Sequence, residues 1–331
     1  MVTPAGVVAT ANLPASGAGP DIRRLLCGSE GALGVLTQLV LRVQRVPQSR
    51  AAATFDFGQG AETTTESFLS AAAAARAVVQ AGLLPSNLRA VDKREAMVMG
   101  LGRGDSAVLL LAFESQLSSS AVVDAQLAAA AKLVEDAGGV RRRGERAGKA
   151  GRGGGVGDDG GGARQWKSSF VVAPAGRDDI LLRGLLVETL ETAVCWSRFK
   201  ALHAGVLNAI EGAASKLGLM VVATCRLTHV YTDGCAPYFT VVCSDTEQLE
   251  PTQMLSAWDA IKAEANTAIS ALGGTASHHH AVGRDHLSVY KREAGPLTLR
   301  ALGAVKAAWD PNGVLNPGAL GLVPVGRRSH L

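Results

Sequence analysis

The sequence predicts an α+β fold, an antiparallel sheet with helices on one face. Three observations point to it. Short β-branched, apolar runs (Ala51–Phe57, Ala107–Phe113, Met220–Tyr231 and Tyr238–Cys243) alternate with longer patterns of helical period. The connections between neighbouring runs are short enough for hairpins. Finally, 331 residues with 47% apolar and 19% charged content are enough chain to bury a sizeable core.

Taken in order, Val35–Val46 (VLTQLVLRVQRV) reads as one or two short strands ending at Pro47. Ala51–Phe57 is a strand, and Thr63–Ala81 an alanine-rich helix. Pro85 bounds a short segment, Asn87–Val91, before a helical turn through Met99. Ala107–Phe113, apolar throughout, is expected to be buried on both faces. Ser118–Ala137 is an amphipathic helix closed by Gly138-Gly139. Between Gly138 and Ala163 there are twelve glycines in twenty-six residues, with six Arg/Lys and three Asp/Glu. Such a segment buries too little apolar surface to offset its ordering entropy and is expected to be a disordered insertion. A long helical pattern covers Ile180–Leu217. Two strands joined by a turn at Thr232–Pro237 follow, then a helix from Met254 to Leu272, the run Ser277–Gly283, two further helical pieces and a Pro/Gly tail.

Composition excludes several functions. The net charge of +4 lies mostly in the glycine-rich insertion (+3), so the rest of the chain offers no basic face for nucleic acid. Aromatics at 4% leave few stacking platforms. No stretch approaches about 18 uncharged apolar residues, so no membrane span is expected, and Met1–Pro14 has no signal-peptide pattern. Five cysteines without a CxxC are read as free thiols in a reducing compartment, and no metal site is expected.

Two clusters carry chemistry. Gly28-Ser29-Glu30-Gly31-Ala32-Leu33-Gly34 places three glycines in seven residues, so backbone N–H groups can approach a ligand without intervening β-carbons. On these grounds alone it could equally be a turn. Ser277-His278-His279-His280 sets three imidazoles side by side. Consecutive residues point in different directions, which favours a catalytic or anion-binding cluster over a single metal.

With these motifs, the chain resembles the alkyldihydroxyacetone-phosphate synthase family of vanillyl-alcohol-oxidase-type FAD flavoproteins. The resemblance runs from about Thr3 to Leu320 apart from the glycine-rich insertion. It is carried by GPDIRRLLCGSEGALGVLT (Gly19–Thr37), PSNLRAVD (Pro85–Asp92), TCRLTHVYTDGCAPYF (Thr224–Phe239), GGTASHHHAVG (Gly273–Gly283) and VKAAWDPNGVLNPG (Val305–Gly318). It implies a C-terminal remnant of a PCMH-type FAD-binding domain over residues 1–48 and an α+β cap domain with an antiparallel sheet over 49–275. A C-terminal active-site segment would cover 276–321 and a tail 322–331. The implied reaction exchanges the acyl group of acyl-dihydroxyacetone phosphate for a long-chain fatty alcohol, in ether-lipid synthesis. FAD would act without net redox, splitting a difficult displacement into two easier steps.

Site residues follow by the same resemblance. Tyr238 matches the family's proton-transfer tyrosine; its plainer reading is a strand tyrosine. A phenol could serve there if nearby cations lowered its pKa. His278, His279 and His280 match an essential histidine cluster. Arg89 matches an arginine required for activity, its plainer reading being a salt bridge to Asp92. Arg177 falls where a substrate-binding arginine is expected, otherwise a surface residue. Gly28, Ser29, Glu30, Gly31, Ala32, Leu33 and Gly34 would contact FAD. The family's PGGGTS-type loop is missing, which predicts an incomplete chain with weak FAD retention. The ending Ser329-His330-Leu331 resembles the SKL peroxisomal address, implying an import receptor as partner and a peroxisomal location. A homodimer and peripheral membrane contact are further expectations, and nucleic acid is not one. Two alternatives stay open. One is an FAD-dependent D-lactate-type dehydrogenase, although TCRLTHVY has only His229 where those relatives carry a GDGNxH-like segment. The other is an inactive cap domain kept for binding.

Overall fold

The computed structural model describes residues 1–58, 63–142, 178–244 and 249–322. Arg177, most of the glycine-rich insertion and the terminal SHL lie outside them. The chain divides into two compact units. One comprises Met1–Gln44 with Thr275–Leu331, the other Arg45–Gly274.

The larger unit is built on one antiparallel sheet. After the short strands β1 (Val2–Thr3) and β2 (Gly6–Val7) and helix α1 (Ile22–Leu26) of the smaller unit, its elements are β3 (Ser49–Phe57), α2 (Thr64–Gln80), β4 (Asn87–Val91), α3 (Lys93–Val98), β5 (Ala107–Ser115), α4 (Ala121–Asp136), β6 (Val140–Arg141), β7 (Leu186–Glu191), β8 (Val194–Cys195), α5 (Trp196–Lys216), β9 (Met220–Val230), β10 (Gly234–Ser244) and α6 (Pro251–Ala271). The strand order is β6-β3-β5-β4-β9-β10-β7, with β8 also on β10, and every pairing is antiparallel.

The pleat explains the layering. Ala51, Ala53, Phe55 and Phe57 of β3, Leu109 and Leu111 of β5, Leu227 of β9 and Phe239 of β10 join one apolar core with residues of α2, α4, α5 and α6. On the opposite face Val91, Val108 and Leu110 pack with Ala96 and Leu101, so α3 and the loop after it cover part of that face. β5 is apolar on both sides because it is covered on both sides: Ala107–Phe113 are all buried. Helix α2 begins with a capping box in which Thr63 and Glu66 satisfy each other's backbone N–H.

The antiparallel sheet and its helical backing match expectation, with five local corrections. Val35–Val46 forms no strand beyond a bridge from Val35 to Val2; Val43 is 85% exposed, and most of the run is not covered by the described residues. The pattern from Ile180 is not one helix. Leu186–Glu191 pairs with β10, burying Leu186 and Leu190, and α5 begins only at Trp196. Asn87–Val91 is a full central strand between β5 and β9. The hairpin turn is shorter than Thr232–Pro237. β10 already pairs from Gly234, and Pro237 sits at a register shift, where a missing N–H does least harm. The start of the glycine-rich insertion is also ordered, since β6 pairs with β3 and Arg142 bridges Asp56 at 2.6 Å.

The smaller unit holds the N-terminal segment and helix α7 (Leu287–Trp309), which bends at Gly295-Pro296, where Gly295 has φ +73°. Its core is Ala32, Leu33, Leu320 and Leu322, with Leu25, Tyr290 and Trp309 packed around them. All five cysteines are free, with Cys225, Cys235 and Cys243 buried. Among the described residues no helix is long and apolar enough to cross a membrane.

Candidate functional site

In the larger unit the candidate residues collect on the sheet face opposite the main helical layer. Tyr238 on β10 pairs with Arg226 on β9, and Arg226 pairs with Val91 on β4. Directly paired residues share a face, as do residues two apart, so Arg89, Arg226 and Tyr238 all project to this side. The Arg226 guanidinium lies over the Tyr238 ring, 3.9 Å from its centroid. Burial, and then the like charge of Arg226, lower the pKa of Arg89. Arg89 also lines a cavity of about 400 Å³ with Leu83, Leu84, Leu88, His229 and Tyr231.

Below these groups lies a polar cluster that sequence reasoning missed. Asp92 caps α3 by accepting the Glu95 N–H at 2.8 Å, and its other carboxylate oxygen accepts the Cys225 N–H of β9. Its role is thus to fasten α3 to the sheet, whereas the sequence suggested only a bridge to Arg89. Glu95 accepts from the Arg226 guanidinium and, at 3.3 Å, from the Thr224 hydroxyl. Glu95 is 3% exposed, and burial pushes its carboxyl up to about 7 although the Arg226 charge pulls the other way. A signal for the cap was present in Asp92-Lys93-Arg94-Glu95, a D-x-x-E capping pattern. Nothing in the sequence indicated that Glu95 would meet Arg226, 131 residues away.

The smaller unit contains the other two motifs. His278 and His279 approach through their Nδ1 atoms at 3.1 Å, so one carries the shared proton. The successive rings meet edge to face, with centroids 5.3 and 4.6 Å apart. Two carboxylates hold the backbone on either side. Glu293 accepts from the Ala276 N–H at 2.7 Å and the Thr275 hydroxyl at 2.8 Å. Glu30 accepts from the Val282 N–H at 2.6 Å and the Gly283 N–H at 3.1 Å. The glycine loop is therefore tied to the histidine segment by the side chain of its own glutamate.

The loop is supported from below by a fully buried ion pair. Lys306 donates to the Ala32 carbonyl at 2.8 Å, to Asp310 at 2.9 Å and to the Leu315 carbonyl at 2.7 Å, which uses all three ammonium protons. Burial alone would raise the Asp310 carboxyl, but hydrogen bonds from Lys306 and from the Leu315 and Val314 N–H groups outweigh it and hold the pKa low. Ala32, Leu33 and Gly34 are buried as the loop's footing, and a β-carbon on Gly34 would strike Met1. Gly28 and Gly31 adopt left-handed backbone, at φ +82° and +73°, and face open space. Of the seven residues expected at a cofactor, then, Gly28 and Gly31 face open space, Glu30 is engaged by the histidine segment, and Ala32, Leu33 and Gly34 are buried beneath them.

The larger unit is an antiparallel sheet backed by helices and the smaller one carries the glycine loop, an arrangement shared with a family of flavin-linked proteins. The chain belongs to the family described as FAD linked oxidases, C-terminal domain, whose model matches residues 61–320. It is similar to an alkyldihydroxyacetonephosphate synthase of Caenorhabditis elegans, with 28% identity over 94% of this chain and 52% of the relative. One from Trypanosoma brucei brucei is 26% identical over 97% of this chain and 51% of its own length. A solved alkyldihydroxyacetonephosphate synthase structure superposes with a TM-score of 0.65 at 18% identity, over 95% of this chain and 51% of that one, which establishes the fold. The chain thus spans about half the length of the curated relatives it matches.

Proposed function

We propose that this chain is the substrate-side half of an alkylglycerone-phosphate synthase, exchanging the acyloxy group of acyl-dihydroxyacetone phosphate for a fatty alcohol. The observation that carries this reading is the placement of Arg89, Arg226 and Tyr238 on one sheet face, from three strands that are distant in sequence. FAD, when bound, would supply the reactive nitrogen chemistry that lets the acyloxy group leave and the alcohol enter in separate steps. The segment Gly28, Ser29, Glu30 and Gly31 would hold it, with Gly28 and Gly31 leaving room for close approach.

The chain's own residues would then do the following. Arg89, at the rim of a cavity of mixed lining, offers a guanidinium to the phosphate while Leu83, Leu84 and Leu88 accept hydrocarbon. As the carbon–acyloxy bond breaks, the fatty acid departs as a carboxylate. As the alcohol oxygen bonds to that carbon, its proton must go to a base, a task for Tyr238. His278, His279 and His280 offer a proton-sharing array. In this reading Arg177 adds a second cation for the phosphate. Ser329-His330-Leu331 addresses the protein to the peroxisome through the import receptor, and the enzyme acts as a homodimer in peripheral contact with a membrane.

The test is incorporation of labelled hexadecanol into alkyl-dihydroxyacetone phosphate by the FAD-supplemented chain. Each ether formed should be matched by one fatty acid released. Tyr238→Phe should abolish incorporation while thermal unfolding stays unchanged. Undiminished turnover in that variant would remove Tyr238 from the chemistry and this reading with it.

A further inference from the structure

We propose that Glu95 is the residue that positions Tyr238, acting through the guanidinium of Arg226. The inference rests on the reading of Tyr238 as a site residue and adds to it a device that sets the phenol's orientation.

An arginine side chain has many rotamers to lose, so an arginine stacked on a half-buried ring needs something to hold it there. Glu95 accepts from the Arg226 guanidinium, and Thr224 donates to the other Glu95 oxygen at 3.3 Å. Glu95 in turn cannot drift. Its own N–H is held by Asp92 at 2.8 Å, Asp92 also grips the Cys225 N–H of β9, and the flanking Ala96 is wedged among Val91, Val108 and Leu110. The sequence of contacts from α3 to the ring is therefore rigid and buried: Glu95 is 3% exposed and Arg226 6%.

An ion pair this deeply buried is a costly way to seal a helix to a sheet. Apolar residues of similar volume would usually do it as well or better. The apolar cluster beside it shows that α3 already has such a seal. A carboxylate here instead holds the guanidinium that lies over the Tyr238 ring. The charged and titratable groups facing Glu95 are Asp92 at its own helix cap, Arg226 on β9, the Cys225 thiol on that strand, and Arg89 on β4, coupled to it through Arg226; β5 contributes the apolar Val108 and Leu110.

The experiment uses the full 331-residue chain labelled with ring-¹³C tyrosine. Three tyrosines give three sets of ring signals, and Tyr238→Phe identifies the relevant one. In Glu95→Gln, the Tyr238 signals should move by more than their linewidth while those of Tyr231 and Tyr290 stay in place. In the unsubstituted chain the same signals should follow a titration step near pH 7, the region of the Glu95 carboxyl, and Glu95→Gln should lose that step. Should Glu95→Gln fail to fold, Arg226→Lys, which keeps the charge and removes the planar stack, should displace the same signals. Unmoved Tyr238 signals in a folded variant, or a pH step that survives Glu95→Gln, would leave the pair with a purely structural role and overturn the proposal. None of these readouts requires turnover, so they can fail while the exchange reaction stands, and the reverse.

Discussion

His203 lies inside the larger unit on α5, 3% exposed, with Phe68, Phe199 and Phe239 rings at 5.2, 6.0 and 6.1 Å. Nδ1 has no hydrogen-bond partner there, and burial lowers the imidazole pKa to about 4. In the unfolded chain it would titrate near 6.5. As pH falls from about 6.5 to about 4, the unfolded chain takes up a proton that the folded chain refuses. The stability supplied by the neutral ring is therefore complete above 6.5 and lost on acidification. The gap of about 2.5 pH units, at about 1.4 kcal/mol each, gives a loss of roughly 3 kcal/mol. Replacing the ring by His203→Phe removes the proton-binding group and keeps an aromatic among aromatics. Urea unfolding followed by tryptophan fluorescence, with Trp196 packed on Phe199 at 6.0 Å, reports the transition. The stability difference between His203→Phe and the unsubstituted chain should grow in favour of the variant by roughly 3 kcal/mol between about pH 7.5 and 4. Any constant packing cost cancels in this comparison. A difference that stays flat within about 0.5 kcal/mol would show that the ring is not buried as a neutral imidazole, and the argument would fail.

Glu95 should show the opposite slope. Its folded pKa is raised to about 7, so its favourable contribution is present below about 4.5 and lost as pH rises through 7; Glu95→Gln should remove an increment of roughly 3 kcal/mol over that range in the same unfolding series. Between about pH 4.5 and 6.5 the two groups oppose each other, and only the paired variants separate them. Lys306→Met leaves a buried Asp310 carboxylate without its cation and takes the donor from the Ala32 and Leu315 carbonyls; it should cost about 3–5 kcal/mol by guanidinium unfolding, and a loss below about 1 kcal/mol would contradict the buried pair. Gly234→Ala sets a β-carbon 2.3 Å from the Val194 carbonyl oxygen, backbone against backbone, and should cost about 1–3 kcal/mol while exposing the Tyr231 and Cys235 amides to hydrogen exchange; unchanged protection would show that β8 is not held there.

Much of the fold was legible because the relevant signals are local. Ala107–Phe113 is apolar at every position and proved to be the strand buried on both faces. The alanine-rich Thr63–Ala81 stretch carries its own cap, and the alternation in Ala51–Phe57 reports one covered face. The errors fall where a local pattern met a distant partner, or lacked one. Leu186–Glu191 has residues that suit a helix, yet the open edge of β10 claims it as a strand. Val35–Val46 has strand-forming residues, and among the described residues no strand pairs with them beyond the single bridge to Val2.

The candidate site divides in the same way. The sequence by itself determined which residue types are available: a glycine loop, three adjacent histidines, Arg89 in its strand and Tyr238 in another. Tertiary structure decided their settings, placing Arg226 over the phenol ring, Glu95 on Arg226, Glu30 on the histidine segment and Lys306 under the loop. The reason is the range of the forces. Periodicity and capping act over one turn or one pleat and are written in consecutive residues. A buried charge finds its partner only after the strands pair, across 131 residues for Arg226 and Glu95 and 274 for Lys306 and Ala32.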